Sequence, residues 1–515
     1  VSKQFDNLKQ QPFEAGNDIT RYFELLPDTS PIKVQYLAML TMNEGQQKLS
    51  IQNILRNRMQ KGAIDVNIMA KVDKMNYNTN GDVLDDASTD ALAALRGYAM
   101  SSLHSSVVLS AGMNPRLYSY LETFRDFFPG AGGDIRKKVI LKVSDFRSAL
   151  IQAKFLAKKG IWVSEFRIES GLNCGGHAFA TDGLLLGPIL GEFRQKRKEM
   201  LDELWGMYHA ALTNKGHHLK TAPGQKISVQ GGIGTGQEDD FLRNHFELDA
   251  TGWGSPFLLV PEATNVDEQT LQKLTTATHD DFYVSDASPL GILFNNFKGS
   301  SSEKQRLERV EKGRPGSPCT KKYLCTNTEF TDKPICTASR EYQHLKIQQL
   351  QQAGLPAEEY QERFNRVTGK ICLCEGLCAS TYIKNGMIRP RENKAVAICP
   401  GPNLSYFSKV YTLDEMVKQI YGHLNLLENV IRPNLFVNEL NLYIDYLKKD
   451  IEGYLKDVND KKARYLVKFK DQLQQGINYY KVLIPQITNQ TQEYLANMYH
   501  DLALAEEKLV SLEIT

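Results

Sequence analysis

The sequence contains no run of eighteen apolar residues, whereas a transmembrane helix needs about twenty. It also carries almost no net charge, because 62 Lys and Arg oppose 60 Asp and Glu to give a formal charge of +2. Such a balance provides no field that would attract nucleic acid or an anionic membrane. We therefore expect no membrane span, and neither nucleic acid nor a membrane as a partner.

A secretory signal is also missing from the start of the chain, Val1-Ser-Lys-Gln-Phe. The chain does not begin with Met, so we expect that the natural amino terminus was processed or lies upstream. Without a secretory signal, the reducing cytoplasm is the expected location.

Strand-like and helical segments alternate through the first 260 residues, about six times. This alternation predicts parallel βαβ units and an α/β fold. The chain has 515 residues, which predicts two to four domains. A barrel with an incomplete front end and an open sheet both fit the pattern. The apolar segment 33–42 fits a strand or a short helix equally well.

The most informative stretch is 164–190, where a predicted strand ends in a glycine-bearing loop, 171–176, that leads to His177. Glycines let a flat ligand approach the backbone closely, and ligands of α/β proteins gather at the carboxyl ends of strands. An imidazole there is suited to moving protons near neutral pH. The alternative is a structural turn whose histidine caps the strand.

Two further glycine turns follow predicted strands about twenty residues apart. Gly231-Gly232 follows strand 226–230, and Gly252, Gly254 and Ser255 follow the next strand. In (β/α)8 barrels, the loops after the last two strands commonly bind phosphate through backbone N–H groups. Two ordinary tight turns would produce the same pattern. The spacing lacks the full dinucleotide fingerprint, which argues against a Rossmann site.

The motif Gly175-Gly176-His177, with the tail Leu-Leu-x-x-Pro-Ile-Leu over 184–190, resembles the signature of the nitronate monooxygenase (2-nitropropane dioxygenase) family. That family includes the flavin-dependent enoyl reductases. The resemblance covers residues 60–300 and implies an FMN-binding (β/α)8 (TIM-type) barrel. It also implies that His177 is the active-site base or proton relay.

The resemblance extends to residues that would hold the flavin. It implies a phosphate site on Gly231-Gly232-Ile233 and on the segment 254–258, and a flavin contact from Asn67. Lys142 is placed to direct a cation at the flavin edge where reduction builds negative charge, although a solvated strand-end lysine is an equal alternative. The cofactor-binding set is Asn67, Lys142, Ser170, Gly175, Gly176, Gly231, Gly232, Gly252, Trp253, Gly254 and Ser255.

The sequence also departs from the family pattern. Ser170 stands near the place of a family glutamine, and Asn173-Cys174 replaces Glu-Ala before the Gly-Gly-His motif. The family's opening strand, which lies under the flavin ring, is not evident before Lys33. We expect that strand in residues upstream of this chain.

Seven of the eight cysteines fall between Cys319 and Cys399. Clustered cysteines in a reducing compartment favour metal over disulfides, and cysteine-only ligation suits zinc or an iron–sulfur cluster. The predicted ligands are Cys372, Cys374, Cys378 and Cys399. Buried free cysteines are the alternative, and the absence of a Cys-x2-Cys pair excludes a standard zinc ribbon.

The last hundred residues are helical. Apolar residues recur every three or four positions over 440–455 and again over 466–477, which predicts an amphipathic hairpin or short bundle. Packing on the barrel and self-association into a homo-oligomer are both open uses for it.

Three hypotheses follow for the function. The first is an FMN-dependent oxidoreductase that acts on a small-molecule or acyl-thioester substrate, with oxygen (monooxygenase) or NAD(P)H (enoyl reductase) as co-substrate. The second is an iron–sulfur flavoprotein that transfers electrons. The third is a barrel without cofactor that serves as a scaffold. The domains are predicted as the barrel 1–300, a Cys-rich insertion or metal-binding segment 301–410, and a helical C-terminal domain 411–515.

Overall fold

A computed structural model describes residues 2–68, 73–110, 112–173, 182–454 and 460–514. The helices of the first half are α1 (Ser2–Lys9), α2 (Asp18–Glu24), α3 (Pro31–Leu40), α4 (Gln46–Arg58), α5 (Asp90–Ala99), α6 (Pro115–Tyr120), α7 (Phe146–Ala157), α8 (Leu186–Asn214), α9 (Gly236–His245) and α10 (Glu268–Thr275). Those of the second half are α11 (Ser301–Glu311), α12 (Arg340–Gln352), α13 (Ala357–Thr368), α14 (Leu373–Lys384), α15 (Leu413–Ile420), α16 (Leu435–Tyr454), α17 (Asp460–Leu483) and α18 (Gln492–Val510).

Six strands form one parallel sheet in chain order. They are β1 (Val66–Ile68), β2 (Ser105–Leu109), β3 (Lys137–Val143), β4 (Val163–Glu169), β5 (Lys226–Gln230) and β6 (Ala250–Gly252). Each strand pairs only with its sequence neighbours within the described residues, so β1 and β6 form the two edges. The α/β fold is confirmed. The described strands do not show closure of the sheet into a barrel, and the (β/α)8 barrel stays a prediction.

The strands alternate between an apolar and a polar face. On β4, Phe166 and Ile168 are fully buried in the main hydrophobic core, and helix α7 packs on β3 and β4. The intervening side chains point to the other face and form a polar network. There Arg167 donates to Glu165, and Ser228 of β5 donates to the same carboxylate at 2.6 Å. A sheet with a polar face is what allows charged groups to reach its carboxyl edge.

The C-terminal helices pack against the sheet domain. Helices α16, α17 and α18 contact one another, and their buried side chains, among them Leu440, Leu473 and Leu502, belong to the same core as the sheet. The predicted helical bundle is therefore confirmed as packing within the chain. Self-association and the domain boundaries at 300 and 410 stay predictions.

A smaller helical region lies at the start of the chain. The amino-terminal helices α1–α4 enclose a separate core of Ile19, Phe23, Tyr36, Met39, Leu55 and Met59. Segment 33–42, left open between strand and helix, is the helix α3, which begins at Pro31. A proline at the first helical position already has the φ that the helix needs.

The antiparallel hairpin β7 (Phe282–Ser285) and β8 (Phe294–Phe297) was not predicted from the sequence. Helix α15 ends at Ile420, and Gly422 adopts a left-handed φ of 74° just beyond its end. No helix in the described ranges is long and apolar enough to cross a membrane.

The packing of α17 on α8 can be tested at Gly187, where an added Cβ would lie 2.3 Å from Cε1 of the Tyr480 ring. We expect Gly187→Ala to lower the free energy of unfolding by about 1–3 kcal/mol because of this overlap. The control is Gly206→Ala in the same helix, where an added Cβ meets nothing within 4 Å. It should raise stability by up to about 1 kcal/mol, since alanine favours helix. Identical urea unfolding curves for the two variants would contradict this packing.

Candidate functional site at the carboxyl edge of the sheet

The carboxyl ends of β3, β4 and β5 are joined through one carboxylate, Glu169. Its Oε1 accepts from Lys142 Nζ at 2.8 Å, from Gln230 Nε2 at 2.7 Å and from Asn173 Nδ2 at 2.6 Å. Both members of the Lys142–Glu169 ion pair are largely buried, with 14% and 11% of their side chains exposed. Lys142 is therefore fixed beside the loop that follows β4 and is not a solvated strand-end lysine.

The predicted catalytic residue cannot be placed in this geometry. His177, together with Gly175 and Gly176, lies in 174–181, outside the described residues. Asn67 is described on the edge strand β1 and is exposed, opposite Val108 in the register. The roles of these four residues stay predictions.

The turn after β5 has the left-handed glycines that the sequence suggested. Gly231 and Gly232 have φ values of 104° and 81°. A Cβ on Gly231 would lie 2.7 Å from the Cα of Asn173, and one on Gly232 would lie 2.6 Å from the Leu172 side chain. The close approach of the β4 loop is thus sufficient to require glycine at both positions.

Side chains from later in the chain bind the carbonyl groups of this turn. Arg432 Nη2 donates to Gly232 O at 2.5 Å, and two amide side chains donate to the next two carbonyls. The amide contacts are Asn403 Nδ2 to Ile233 O at 3.0 Å and Gln419 Nε2 to Gly234 O at 2.7 Å. Three separate segments of the second half of the chain therefore hold the turn after β5.

A buried ion pair anchors the same turn. Arg432 Nη1 lies 2.8 Å from Glu238 Oε1, and only 4% and 1% of the two side chains are exposed. The other oxygen of Glu238 accepts from the Gly234 N–H at 2.9 Å. Burial works to lower the pKa of Arg432, but the adjacent Glu238 carboxylate holds it above its usual value. Breaking the pair would leave the charge of Arg432 buried and uncompensated.

The turn after β6 contains the remaining predicted residues. An added Cβ on Gly252 would lie 2.8 Å from the Gln230 side chain, so β5 and β6 approach closely there. Ser255 is buried and Gly254 is exposed. Trp253 Nε1 is a buried donor with no hydrogen-bond partner among the described residues.

Ser170 is directed to a second buried carboxylate, that of Glu439 in α16. Glu439 accepts from Ser170 Oγ at 2.8 Å, from Gly171 N at 2.9 Å and from Leu186 N at 2.7 Å. One carboxylate therefore joins the beginning of the β4 loop to the first residue of α8. Burial raises the pKa of Glu439, and the three donors oppose that rise by stabilising the ionised form.

A cavity of 340 Å³ opens beside Gly171, two residues beyond β4. It lies between the β7–β8 hairpin, the prolines of segment 400–402 and helix α16. Aromatic and aliphatic side chains form most of its wall, namely Phe282, Tyr283, Leu293, Leu442, Tyr443 and Tyr446. The exposed side of the cavity is lined by His279, Asp445 and Lys449. A cavity of this size and lining is suited to an apolar or aromatic ligand.

The predicted metal ligands do not form a metal centre. Cys372 caps the amino end of α14 and hydrogen-bonds with Cys374, while Cys378 is exposed on the same helix and Cys399 lies in a separate segment. Within the described ranges, no three His, Cys, Asp or Glu side chains are placed to hold one ion. The proposed site on Cys372, Cys374, Cys378 and Cys399 therefore receives no support from the geometry.

The sequence analysis did not predict a role at this edge for five charged or polar residues: Glu169, Gln230, Glu238, Arg432 and Glu439. For Glu169 a signal existed, because Glu165, Arg167 and Glu169 alternate along β4 and so predict a polar face. For Arg432 and Glu439 there was none, since their partners lie about two hundred or more residues away along the chain.

Comparison with known proteins identifies no family. No protein-family model matches the sequence, and no curated protein is detectably similar. Among solved structures, FabK from Thermotoga maritima is 14% identical with a TM-score of 0.34, over 74% of this chain and 81% of FabK. The enoyl reductase domain of MlnA from Bacillus amyloliquefaciens is 14% identical with a TM-score of 0.35, over 87% and 88%. TM-scores this low do not establish a shared fold, and the α/β description depends on the sheet itself.

Glu439 offers a test of how the site is held together. We expect Glu439→Gln to lower the free energy of unfolding by about 1–3 kcal/mol. The NH2 group of the new amide would replace one carboxylate oxygen and would face a backbone N–H that donates to that oxygen in the parent protein. The matched control is Glu452→Gln on the exposed side of the same helix, which should stay within about 0.5 kcal/mol of the parent. Urea unfolding followed by circular dichroism measures both. A Glu439→Gln variant as stable as Glu452→Gln would show that the hydrogen bonds to Glu439 do not stabilise the site.

Proposed function

We propose that this protein is an FMN-dependent oxidoreductase of the nitronate monooxygenase and enoyl reductase type. One observation carries the proposal: the strands that end in the predicted cofactor residues all belong to one parallel sheet, whose strands follow chain order. Asn67, Lys142, Ser170, Gly231 and Gly252 consequently belong to the same carboxyl edge. In α/β proteins this edge is where ligands bind.

The unpartnered donor at the end of β6 supports a phosphorylated ligand there. Trp253 Nε1 is buried without an acceptor in the part of the chain that the structure describes, and a buried donor left unpaired costs about 1–3 kcal/mol. A phosphate oxygen is an acceptor of the kind that this donor lacks. The FMN phosphate would be held by the turns at Gly231-Gly232 and 252–255, and Lys142 would face the flavin ring.

Each group has a separate task in this proposal. FMN, when bound, supplies the hydride or one-electron chemistry. Lys142, fixed by Glu169, contributes a positive charge that stabilises the reduced form. His177 moves the proton, either as a base that removes it from substrate carbon or as an acid that completes a reduction. Its imidazole titrates near neutral pH, which permits both directions.

The 340 Å³ cavity beside Gly171 is the proposed place of the substrate. Its aromatic wall suits the apolar part of a small nitronate or of an acyl thioester, and its charged residues lie on the exposed side. The cavity borders the first residues of the β4 loop, which is the loop that carries His177 in sequence. Substrate and proton relay would therefore meet at the end of β4.

A second candidate is a barrel-like protein without cofactor, and one observation favours it. The carbonyls of the turn after β5 are bound by Arg432, Asn403 and Gln419, and the Gly234 N–H is bound by Glu238. A turn whose polar groups are already paired, with a carboxylate inside it, is a poorer phosphate site than a free one. This arrangement would suit a scaffold.

A flavin titration separates the two candidates. We expect the protein purified with FMN present to be yellow, with two resolved visible bands, and to show altered flavin absorbance when FMN is added to the apoprotein. Trp253→Phe, which removes the Nε1 donor and keeps an aromatic side chain, should weaken this binding at unchanged folding if the β6 turn holds the phosphate. A colourless protein that takes up no FMN would favour the scaffold and refute the oxidoreductase.

The role of His177 has its own test. We expect His177→Ala to retain flavin yet lose about 10²–10⁴-fold in turnover, the range of general acid–base catalysis. Oxygen uptake with a nitronate and NAD(P)H oxidation with an enoyl thioester are the two assays. His500→Ala, at an exposed position of α18, is the control and should match the parent. Unchanged turnover in His177→Ala would remove this residue from the mechanism.

A further inference from the structure

Three cysteines outside the candidate site meet at one cleft. The Sγ atoms of Cys319 and Cys325 lie 3.8 Å apart, and Cys336 hydrogen-bonds with Cys319. Cys325 and Cys336 are 7% and 4% exposed, whereas Cys319 is only partly covered. Cys319 is therefore the most accessible of the three thiols to a reagent from solvent.

The backbone holds these loops in place. Ser317 N donates to Ala338 O at 2.9 Å and Arg340 N donates to Ser317 O at 2.8 Å. A second pair, Asn327 and Ile335, exchanges hydrogen bonds of 3.0 and 2.8 Å. Between these two sets of hydrogen bonds, Cys319 and Lys322 both adopt a left-handed φ of 55°, which is uncommon for residues other than glycine. The resulting tight turn brings the sulfurs of Cys319 and Cys325 into contact.

The cleft in front of the sulfurs is large and cationic. It has a volume of 1220 Å³, and its charged lining consists of Arg314, Lys322, Lys333, Arg340 and a single carboxylate, Glu341. Arg340 Nε is buried and has no partner among the described residues. An anionic ligand would supply the charge and the acceptor that this cleft lacks.

We propose that this cleft is a dithiol site for anionic low-molecular-weight disulfides, with Cys319 as the attacking and Cys325 as the resolving thiol. The Cys319 thiolate attacks one sulfur of the small disulfide, which forms a mixed disulfide and releases one small thiolate. The Cys325 thiolate then attacks Cys319 Sγ, which forms the Cys319–Cys325 disulfide and releases the second small thiolate. Two protons leave the protein thiols, the dithiol loses two electrons, and the small disulfide is reduced to two thiols.

Two further facts define the reaction. The described cysteines are not placed to hold a metal ion, so the thiols are available for exchange. Burial raises the pKa of Cys325 to about 11, and the hydrogen bond with Cys336 together with burial raises the pKa of Cys319, so both thiolates are scarce at neutral pH. We therefore expect a slow exchange, on a scale of about minutes to hours without a catalyst. The reaction needs no flavin, so its outcome is independent of the function proposed above.

The test uses the full chain, reduced and then exposed to oxidised glutathione, which carries carboxylates. Free thiols are blocked with iodoacetamide, the protein is digested with trypsin, and the peptides are analysed by mass spectrometry. Trypsin cleaves at Lys321 and Lys322 but not before Pro334, so Cys319 lies on one peptide while Cys325 and Cys336 share another, 323–340. A disulfide from Cys319 therefore appears as two linked peptides, and fragmentation of the linked pair identifies the partner cysteine. We expect this linked pair, and in Cys325→Ser a product that carries one glutathionyl group on Cys319. Cys336→Ser is the matched control and should still form the link.

Charge selectivity is measured with the uncharged disulfide of 2-mercaptoethanol. At low salt, oxidised glutathione should react about tenfold faster than the uncharged disulfide. The double variant Lys322→Gln, Lys333→Gln should reduce the ratio of these two rates. Four results would overturn the proposal: no linked pair, a link from Cys319 to Cys336 instead, thiols protected by bound metal in the purified protein, or equal rates for the two disulfides.

Discussion

Two buried side chains from the second half of the chain, Arg432 and Glu439, hold together the loops on which the candidate site depends. Glu439 joins the start of the β4 loop to the start of α8, and Arg432 joins the β5 turn to Glu238. Each polar group is removed from water, so its partners must be in place for the fold to tolerate it. The carboxyl edge of the sheet therefore takes its shape together with the C-terminal helices.

This dependence explains why an all-helical tail follows an α/β sheet. Among the described residues, β1 and β6 form the edges of the sheet. Helices α16–α18 bury their apolar side chains in the same core as β3 and β4 and bring Glu439 to Ser170. Tyr443 of α16 also packs against Gly171, where even a Cβ would overlap its ring. Helix α16 thus supports the loop that follows β4.

Local patterns predicted most of the secondary structure but little of the site. The six parallel strands and the long helices follow from apolar periodicity, which acts within ten or twenty residues. The hairpin β7–β8 was missed because Phe282–Ser285 and Phe294–Phe297 are short and partly polar. The partners of Ser170 and Gly232 were missed for a different reason. A side chain some two hundred residues away leaves no trace in the local pattern of its partner, and a single buried Glu or Arg looks like any surface charge.

The glycines after β5 show how one residue pattern can serve two purposes. Gly231 and Gly232 suggest an anion site because they are glycines at the end of a strand, and that inference needs free N–H groups. Their neighbours Asn173 and Leu172 provide a separate reason for glycine, namely the closeness of the β4 loop. Glycine spacing alone therefore cannot distinguish a ligand turn from a packing turn. The distinction lies in the polar partners of the turn, and here the orphaned Trp253 donor after β6 is a stronger sign of a phosphate than the paired groups after β5.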